Sequence, residues 1–432
     1  MSFDLAAGER TVKNRSTYLQ GSVSSQTRND YSSRTDNLSA ALKVDYRLTD
    51  DLAMSFDLSH AEVDVDGELS ILYYNLRPQF QTVTDYSSRH ESQEITAKID
   101  GALFDLPGGS SRFSVGGGYR EERYFGLSGF GAQQSPNRLG RDAPYAFAEL
   151  FLPVVSQAQA IPFVQQLEVS LAARYSDYRD SSNPSTGRDF GSSTDPKVGV
   201  FWRPLDDLGL RATYGTSFRV PTLTQIDPYT GATEIFSSRV AGQPSTILSL
   251  VGYSEPDLGP ETATTWSFGF DYAPAWASGL KVRATYYNVD YQDRIATAPL
   301  GGNNPFTSPQ LVPDAIYRAP SAAFIEEQLR LARTTFNQPG IDVSDPAATS
   351  RTLFARPDLW VSDIRFRNLA VSRQDGIDLA VSQSFRTDLG DLSLGANVTH
   401  ILTYEQQGSP QALLLPAVDI PGEAPDWRGV AH

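Results

Sequence analysis

The chain has 432 residues, a formal net charge of −15 and no cysteine. The acidic balance argues against a nucleic-acid groove, which needs a basic stripe, and the missing thiols exclude disulfide frameworks and cysteine nucleophiles. No apolar run reaches the length of a membrane-spanning helix, about 18 residues. Residues 1–10 lack the basic and apolar regions of a signal peptide.

Apolar side chains recur at every second position, which is the repeat of a β-strand rather than of a helix. The clearest example alternates polar or small residues with Trp266, Phe268, Phe270 and Tyr272. The same alternation is present in the segments 38–48, 167–175, 208–214, 377–381 and 392–398. The chain is therefore predicted to be all-β.

The length and polarity of these strands indicate a membrane barrel. They reach about 10–12 residues, whereas a globular strand has about five or six and a tilted strand crossing a bilayer needs about 9–11. Their second face carries charged side chains such as Lys43, Asp45 and Arg47. A charged face does not fit inside a β-sandwich, but it can line a water-filled or plugged lumen.

Short and long connections alternate along the chain. Short turns are expected at residues 49–51, 107–112, 156–162, 205–207, 274–279 and 387–390. Long polar loops are expected at residues 64–93, 125–143, 179–194, 219–261 and 296–367. Outer-membrane barrels have short periplasmic turns and long extracellular loops. The prediction is part of an antiparallel transmembrane β-barrel with about 13 strands, the first near residues 15–25.

Four segments, in chain order, resemble the signature region of TonB-dependent outer-membrane receptors. The residues that carry the resemblance are Ser217, Phe218, Arg219 and Pro221 at the end of one strand, Pro256, Asp257, Leu258, Pro260 and Glu261 before the next strand, residues 286–295, and Gly376 at the opening of a later strand. Glu255 stands where the family usually has asparagine. Prolines end strands at any loop, but that does not explain the order of the segments.

The resemblance implies a barrel of about 22 strands, the size of plugged transporters. Residues 1–432 are then expected to form part of a single barrel domain, with the N-terminal plug and the C-terminal strands absent. The implied location is the bacterial outer membrane. The implied partners are outer-membrane lipid, the TonB energy-coupling complex acting through the plug, and a small-molecule or metal-chelate ligand. No nucleic acid and no cofactor are expected.

The implied function is energy-coupled uptake of a bulky nutrient, such as an iron–siderophore complex, a cobalamin-like cofactor or an oligosaccharide. A passive porin-like or structural barrel is the alternative. A barrel-embedded hydrolase would have to use Ser393, Asn397 and His400. His400 lies on the apolar parity and the other two on the polar parity, so no catalytic residue is predicted.

Candidate ligand contacts are aromatic and arginine side chains in two of the long loops. They are Tyr73, Tyr74, Arg77 and Phe80 in the first, and Tyr229, Phe236, Arg239 and Tyr253 in the second. Aromatic platforms beside arginine suit sugars or anionic metal chelates. Packing of the loops against themselves is the alternative. Residues 321–332 are predicted to form a short amphipathic helix inside the longest loop.

The sequence offers little for a metal ion. The His count is 4, and no two histidines have metal-ligand spacing. Glu62, Asp64, Asp66 and Glu68 share one strand parity and could contribute oxygens to Ca²⁺. Their spacing is not that of a helix–loop–helix calcium site, and it favours the start of a solvated acidic loop.

Overall fold

The computed structural model describes most of the chain. The described residues are 2–19, 26–73, 80–130, 133–182, 187–188, 190–226, 232–251, 258–297, 306–307, 309, 313–332, 334–337, 342–387, 390–407, 413–420 and 424–431. All structural statements below concern these residues.

The elements follow in chain order. The β-strands are β1 (Ser2–Leu19), β2 (Gln26–Arg47), β3 (Leu52–Tyr73), β4 (Phe80–Leu106), β5 (Gly109–Phe130), β6 (Gln133–Val155), β7 (Gln166–Asp177), β8 (Arg179–Asp180), β9 (Ser192–Leu205), β10 (Leu208–Arg219), β11 (Ala232–Val240), β12 (Gln243–Val251), β13 (Glu261–Tyr272), β14 (Leu280–Ala296), β15 (Ile316–Tyr317), β16 (Thr334–Asn337), β17 (Leu359–Asp363), β18 (Arg367–Thr387), β19 (Gly390–Gln407), β20 (Leu415–Pro416) and β21 (Trp427–Ala431). The helices are α1 (Ala322–Leu331) and α2 (Pro346–Phe354). Neither is long and apolar enough to cross a membrane.

One antiparallel sheet of sixteen strands forms the wall of the molecule. Its long strands pair in the order β1 to β7, β9, β10, β13, β14, β18 and β19, while β8, β20 and β21 are short additions. This confirms the all-β antiparallel prediction and its estimate of about 13 strands. The placement of the first strand at residues 15–25 was wrong, because β1 begins at Ser2 and pairs with β2 along its whole length.

Several strands extend well beyond their apolar segments. β3 and β4 pair without interruption from Leu52 opposite Gly101 to Tyr73 opposite Phe80, so the loop predicted at residues 64–93 is largely a paired hairpin. The loop predicted at 125–143 is likewise occupied by β5 and β6. The physical reason is that backbone amides satisfy one another across a ladder whatever the polarity of the side chains. Side-chain alternation therefore underestimates strand length here.

The two faces of the wall differ as the alternation predicts. Large apolar side chains remain exposed on one face, for example Tyr46 at 60% and Phe268 at 52%. On the other face Arg211 and Arg283 both donate to Asp271, each over 2.6 Å. Apolar groups exposed in such numbers need an apolar solvent, and a lipid bilayer provides one.

Glycines on the polar face let large side chains lie flat against the wall. A Cβ added at Gly118 would lie 2.5 Å from the Tyr145 hydroxyl, and one at Gly376 would lie 2.7 Å from the Tyr287 hydroxyl. The Tyr145 hydroxyl donates to Glu94 over 2.5 Å. Gly376, which the sequence marked only as a signature residue, thus makes room for an aromatic ring on the neighbouring strand.

The two longest predicted loops fold together into a separate small sheet. Its strands lie in the order β15–β17–β12–β11–β16, and β11–β16 and β12–β17 are parallel pairs. We call these strands, with α1 and α2, the extracellular module. Buried apolar side chains fill its core, including Ile235, Leu248, Leu250, Ile325, Leu353 and Val361. The predicted helix at 321–332 is confirmed as α1, which buries Ile325 and Leu329.

The assignment of the two faces is testable at one pair of neighbours on β13. Phe268→Arg places a charge on the apolar face, so we expect the free energy of unfolding in lipid vesicles to fall by about 2–4 kcal/mol. Ser267→Arg places the same charge on the polar face, where it remains hydrated. Urea titration of both variants measures the difference. Equal losses would contradict the assignment of the faces.

Candidate functional site

Two signature segments meet at the ends of β10 and β13, where the chain leaves the wall and returns to it. Their side chains enter one buried apolar cluster, which we call the motif junction. It consists of Tyr124, Leu139, Phe190, Val220, Leu223, Ile226, Leu258 and Ile295. Phe218 of the first segment packs against it. The signature thus marks a packed joint between the wall and the loops above it.

Glu261 is the buried acid of the motif junction, with only 2% of the residue exposed. Its Oε1 accepts from the Ile295 amide over 2.6 Å, and its Oε2 accepts from the Tyr291 hydroxyl over 2.7 Å. Arg219 lies opposite it in the ladder, with Nε 2.5 Å from Oε2. One carboxylate therefore ties the ends of β10, β13 and β14 together. A buried charge with this many donors is a satisfied one.

Arg141 attaches β6 to the same joint. The residue is 6% exposed, and its Nη1 donates to the Pro221 carbonyl over 2.5 Å. Its Nε donates to Glu122 over 3.0 Å, and its guanidinium lies 5.5 Å from the centre of the Tyr178 ring. The acid neutralises the buried charge while the carbonyl and the ring fix its direction. The signature proline is held in place by a residue far away in sequence.

Asn368 fixes the chain between the module and β13. Its Oδ1 accepts from the Gly259 amide over 2.6 Å, and its Nδ2 donates to the Gly259 carbonyl over 3.0 Å. The same Nδ2 donates to the Asp293 carbonyl over 2.7 Å. The side-chain amide thus pairs with a backbone segment as a neighbouring strand would. The second signature segment is anchored at Gly259.

A buried ion pair organises the core of the extracellular module. Arg365 donates to both oxygens of Asp363, over 2.8 and 2.6 Å, and the two side chains are 4% and 1% exposed. Gln328 accepts from Arg365 over 3.1 Å, and the Tyr317 hydroxyl donates to Asp363 over 3.1 Å. Burial, and after it the negative charge of Asp363, raises the pKa of Tyr317. The network joins α1, β15 and β17.

The remaining signature residues have separate surroundings. Ser217 is exposed on β10, and Pro260 is half-buried beside Glu261. Pro256 and Asp257 lie outside the described residues. The structure therefore brings Phe218, Arg219, Pro221, Leu258 and Glu261 into one joint and leaves Gly376 elsewhere on the wall.

The candidate ligand contacts are dispersed. Phe236 packs edge-on against Phe306, with ring centres 6.3 Å apart, inside the module. Arg239 donates to the Gly242 carbonyl over 2.9 Å at a turn. Tyr73 and Phe80 pair at the end of the β3–β4 hairpin, although their side chains lie outside the described part. Tyr74, Arg77, Tyr229 and Tyr253 also lie outside it. A role in ligand contact stays a prediction for all eight.

The four carboxylates weighed as a Ca²⁺ site lie on β3, where three of them are near arginines and Glu68 lies opposite Ser32 and Asp85. Arg89 Nε lies 2.7 Å from Asp64 and 3.5 Å from Glu62, while Asp66 pairs in register with Arg34 of β2. Within the described ranges no group of three or more acidic or histidine side chains could hold a metal ion. The structure therefore does not bring Glu62, Asp64, Asp66 and Glu68 together around one point.

The residues weighed for a hydrolase are separated. His400 stacks on Trp427 with ring centres 4.0 Å apart, on the apolar parity that the sequence predicts. Ser393 instead lies 3.4 Å from the Ser384 hydroxyl on the polar face.

Sequence reasoning did not single out Arg141, Asn368, Asp363 or Arg365. Arg141 falls in a segment predicted as a loop, and nothing near it signals burial. The alternation of Asp363, Arg365 and Arg367 with Ile364 and Phe366 is a strand signal that could have been noticed. Asp363 and Arg365 are only two residues apart, but their further partners Tyr317 and Gln328 are distant in sequence, so the alternation does not reveal the network.

The wall defines the class of protein. Long antiparallel strands with one exposed apolar face, one charged face, short turns at one end and a folded loop module at the other make up an outer-membrane β-barrel wall. The sequence model of the family described as TonB dependent receptor-like, β-barrel, matches residues 2–431 of the chain. The chain belongs to this family and is a protein of the outer membrane.

Several solved structures resemble the chain in general architecture. The siderophore receptor PirA of Pseudomonas aeruginosa is 13% identical to this chain with a TM-score of 0.44, and the alignment covers 93% of this chain and 68% of PirA. PirA of Acinetobacter baumannii is 12% identical with a TM-score of 0.45, covering 98% and 64%. The hemophore receptor HasR of Serratia marcescens is 15% identical with a TM-score of 0.41, covering 93% and 59%. The chain thus spans about two thirds of the length of these receptors or less. The comparison with curated proteins found no match. The family assignment depends on the family match alone.

Removing the buried acid tests the motif junction. In Glu261→Ala the Ile295 amide loses its acceptor, which costs roughly 1–3 kcal/mol for a buried donor. We expect the segment between β10 and β13 to be cleaved faster by an added protease, while the rest of the wall stays resistant. Glu327→Ala removes an exposed acid from α1 and is the matched control. Equal cleavage of the two variants would argue against a joint at Glu261.

The raised pKa of Tyr317 predicts alkaline opening of the extracellular module. The folded state holds this proton more tightly than the unfolded chain does, so its contribution is complete below the unfolded pKa of about 10 and is lost as the pH rises above it. Emission from Trp360, which packs against the module core, should report the opening. Tyr317→Phe should reduce the change in Trp360 emission as the pH rises above about 10. An unchanged alkaline transition in this variant would rule out Tyr317 as its cause.

Proposed function

We propose that the chain forms the wall and the ligand-gathering surface of an energy-coupled outer-membrane receptor for a bulky nutrient. The observation that carries the proposal is the extracellular module, a folded unit with its own apolar core built from the two longest loops of the chain. A passive pore needs an open mouth, and it has no use for a separate apolar core in its loops. A receptor needs such a core, because a packed surface can hold ligand contacts in a fixed arrangement.

The motif junction supports the same proposal. Glu261, Arg141 and Asn368 hold the segments by which the chain leaves β10 for the module and returns to β13. Arg367 at the start of β18 donates to the Asp314 carbonyl, two residues before β15. A ligand contact made on the module would then be tied to the wall through these segments. Loops that moved independently of the wall would lose binding energy to ordering each time a ligand arrived.

The proposed partners follow from the family. Uptake would be driven by the TonB complex acting on a plug inside the lumen, and the polar wall around Asp271 and Glu94 would face that plug. The ligand would be an iron–siderophore complex, a cobalamin-like cofactor or an oligosaccharide. The chain itself would carry out no catalytic chemistry, since its part is to bind and to conduct.

The test is uptake by cells that express the whole receptor gene in a host lacking its own receptors. Each of the three ligand classes is offered in labelled form, with and without a protonophore. We expect saturable uptake of one class that stops when the proton gradient collapses. Uptake that rises linearly with concentration and ignores the protonophore would identify a passive porin instead.

A variant pair adds the role of the module. Asp363→Ala leaves Arg365 buried without its partner, which destabilises by roughly 3–5 kcal/mol, so ligand binding to whole cells should be lost while barrel assembly is retained. Asp391→Ala removes an acid of the exposed pair with Arg386, whose side chains are 80% and 93% exposed, and it should bind normally. Normal binding by Asp363→Ala would remove the module from the proposal.

A further inference from the structure

The outer face of β2, β3 and β4 changes from apolar to charged partway along these strands. The last large apolar side chains are Leu38, Leu58 and Ile95, which are 42%, 39% and 40% exposed. Beyond them the positions of the same parity carry charged side chains: Arg34, Asp36, Glu62, Asp64, Asp66, Glu68, Asp85, Arg89 and Glu91. Charged groups on this face belong in water rather than in lipid. This part of the three strands therefore stands outside the bilayer.

The inner face changes in the opposite sense. Within the apolar band its positions carry charged side chains such as Lys43, Asp57 and Lys98. The register of β2, β3 and β4 continues beyond the band without a shift. The inward side chains there, which we call the inner panel, are all of uncharged types apart from one histidine: Tyr31, Ser33, Thr35, Asn37, Ala61, Val63, Val65, Gly67, Tyr86, Ser88, His90 and Ser92.

The histidine does not add a charge at neutral pH. Burial lowers the pKa of His90, and its ring packs against Tyr124 with centres 4.7 Å apart. The inner panel is thus a neutral surface on strands whose outer face is densely charged.

Two tyrosines form an aromatic platform in the inner panel. The rings of Tyr31 and Tyr86 are stacked, with centres 6.0 Å apart and 17° between their planes. Gly67 lies opposite Tyr86 in the ladder, and a Cβ added at Gly67 would overlap the Tyr86 ring. That ring therefore lies flat over β3, with one side against the backbone and the other toward the mouth. Tyr31 is 37% exposed.

Neutral hydrogen-bonding groups lie in the rows beside the platform. Thr35 of β2 and Ser88 of β4 both lie opposite Val65 of β3, and Asn37 and His90 both lie opposite Val63. Hydroxyl and amide groups can both donate and accept hydrogen bonds. The inner panel therefore combines ring faces with donors and acceptors that carry no formal charge.

We propose that the inner panel binds an uncharged, hydroxyl-rich ligand of the oligosaccharide class, with Tyr31 and Tyr86 as its stacking platform. A sugar ring has an apolar C–H face and a rim of hydroxyls, so it requires an aromatic surface and neutral hydrogen-bonding groups together. An anionic metal chelate would require arginine or lysine, and the inner panel contains neither. The inference rests on the proposed function and narrows its three ligand classes to one.

The experiment measures binding of labelled ligands to cells that express the whole receptor gene, in the cold so that uptake is halted. The probes are neutral hexasaccharides of glucan, mannan, xylan, galactan and fructan, a galacturonate hexasaccharide, an anionic ferric catecholate and cobalamin. We expect saturable binding of a neutral hexasaccharide. Tyr31→Ala with Tyr86→Ala should weaken it at least about tenfold.

Three further variants keep the result decisive. Phe125→Ala removes an aromatic ring from the outer face, opposite Arg89, and should bind as the native receptor does. Tyr31→Phe with Tyr86→Phe keeps both rings and should retain most of the affinity. Gly67→Ala keeps both tyrosines but displaces the Tyr86 ring, so we expect a several-fold loss. Receptor at the surface is counted with an antibody, and Gly67→Ala decides if the double alanine variant does not assemble.

Three results would overturn the inference. The first is full affinity in the double alanine variant or in Gly67→Ala. The second is an equal loss in Phe125→Ala. The third is binding and protonophore-sensitive uptake of the ferric catecholate or cobalamin with no hexasaccharide bound, which would leave the proposed function standing. Hexasaccharide binding that depends on the two tyrosines, followed by uptake that ignores a protonophore, would instead support the inner panel and overturn energy-coupled uptake.

Discussion

The fold depends on the pairing of backbone amides along the wall. A strand in lipid has no water to satisfy its N–H and C=O groups, so each must bond to a neighbouring strand. β3 and β4 keep one register from Leu52 to Tyr73, and β10 and β13 do so from Leu208 to Arg219. Because a slip of one residue would exchange the two faces, this ladder decides which side chains meet lipid and which line the lumen.

The polar groups above the wall follow a second constraint, which is that a buried charge must find partners. Glu261, Arg141 and the Asp363–Arg365 pair are all nearly inaccessible to water, and each is held by several hydrogen bonds. Replacing such groups by apolar ones need not destabilise a protein, whereas removing one partner does. Their effect here is positional, since Glu261 and Arg141 fix the chain ends beside the wall strands and the Asp363–Arg365 pair fixes α1, β15 and β17 within the module.

Much of the wall could be predicted from the sequence. Alternation at Trp266, Phe268 and Phe270 gave the strand type and the apolar face, and the alternation of short and long connections gave the two ends. The predicted strand limits were wrong at residues 64–93. Many of the side chains there are polar, although the backbone of β3 and β4 continues to pair. The candidate site was predicted only in part, since Phe218, Arg219 and Glu261 were identified as signature residues without their role as a joint.

The sequence by itself determined the all-β class, the membrane face and the family, because each depends on residues close together in the chain. The tertiary structure alone decided the extracellular module, whose parallel pairs join segments on either side of β13 and β14. It also decided the burial of Arg141 and the gathering of two signature segments into the motif junction. These features depend on contacts between residues far apart in sequence, and local periodicity carries no information about such contacts.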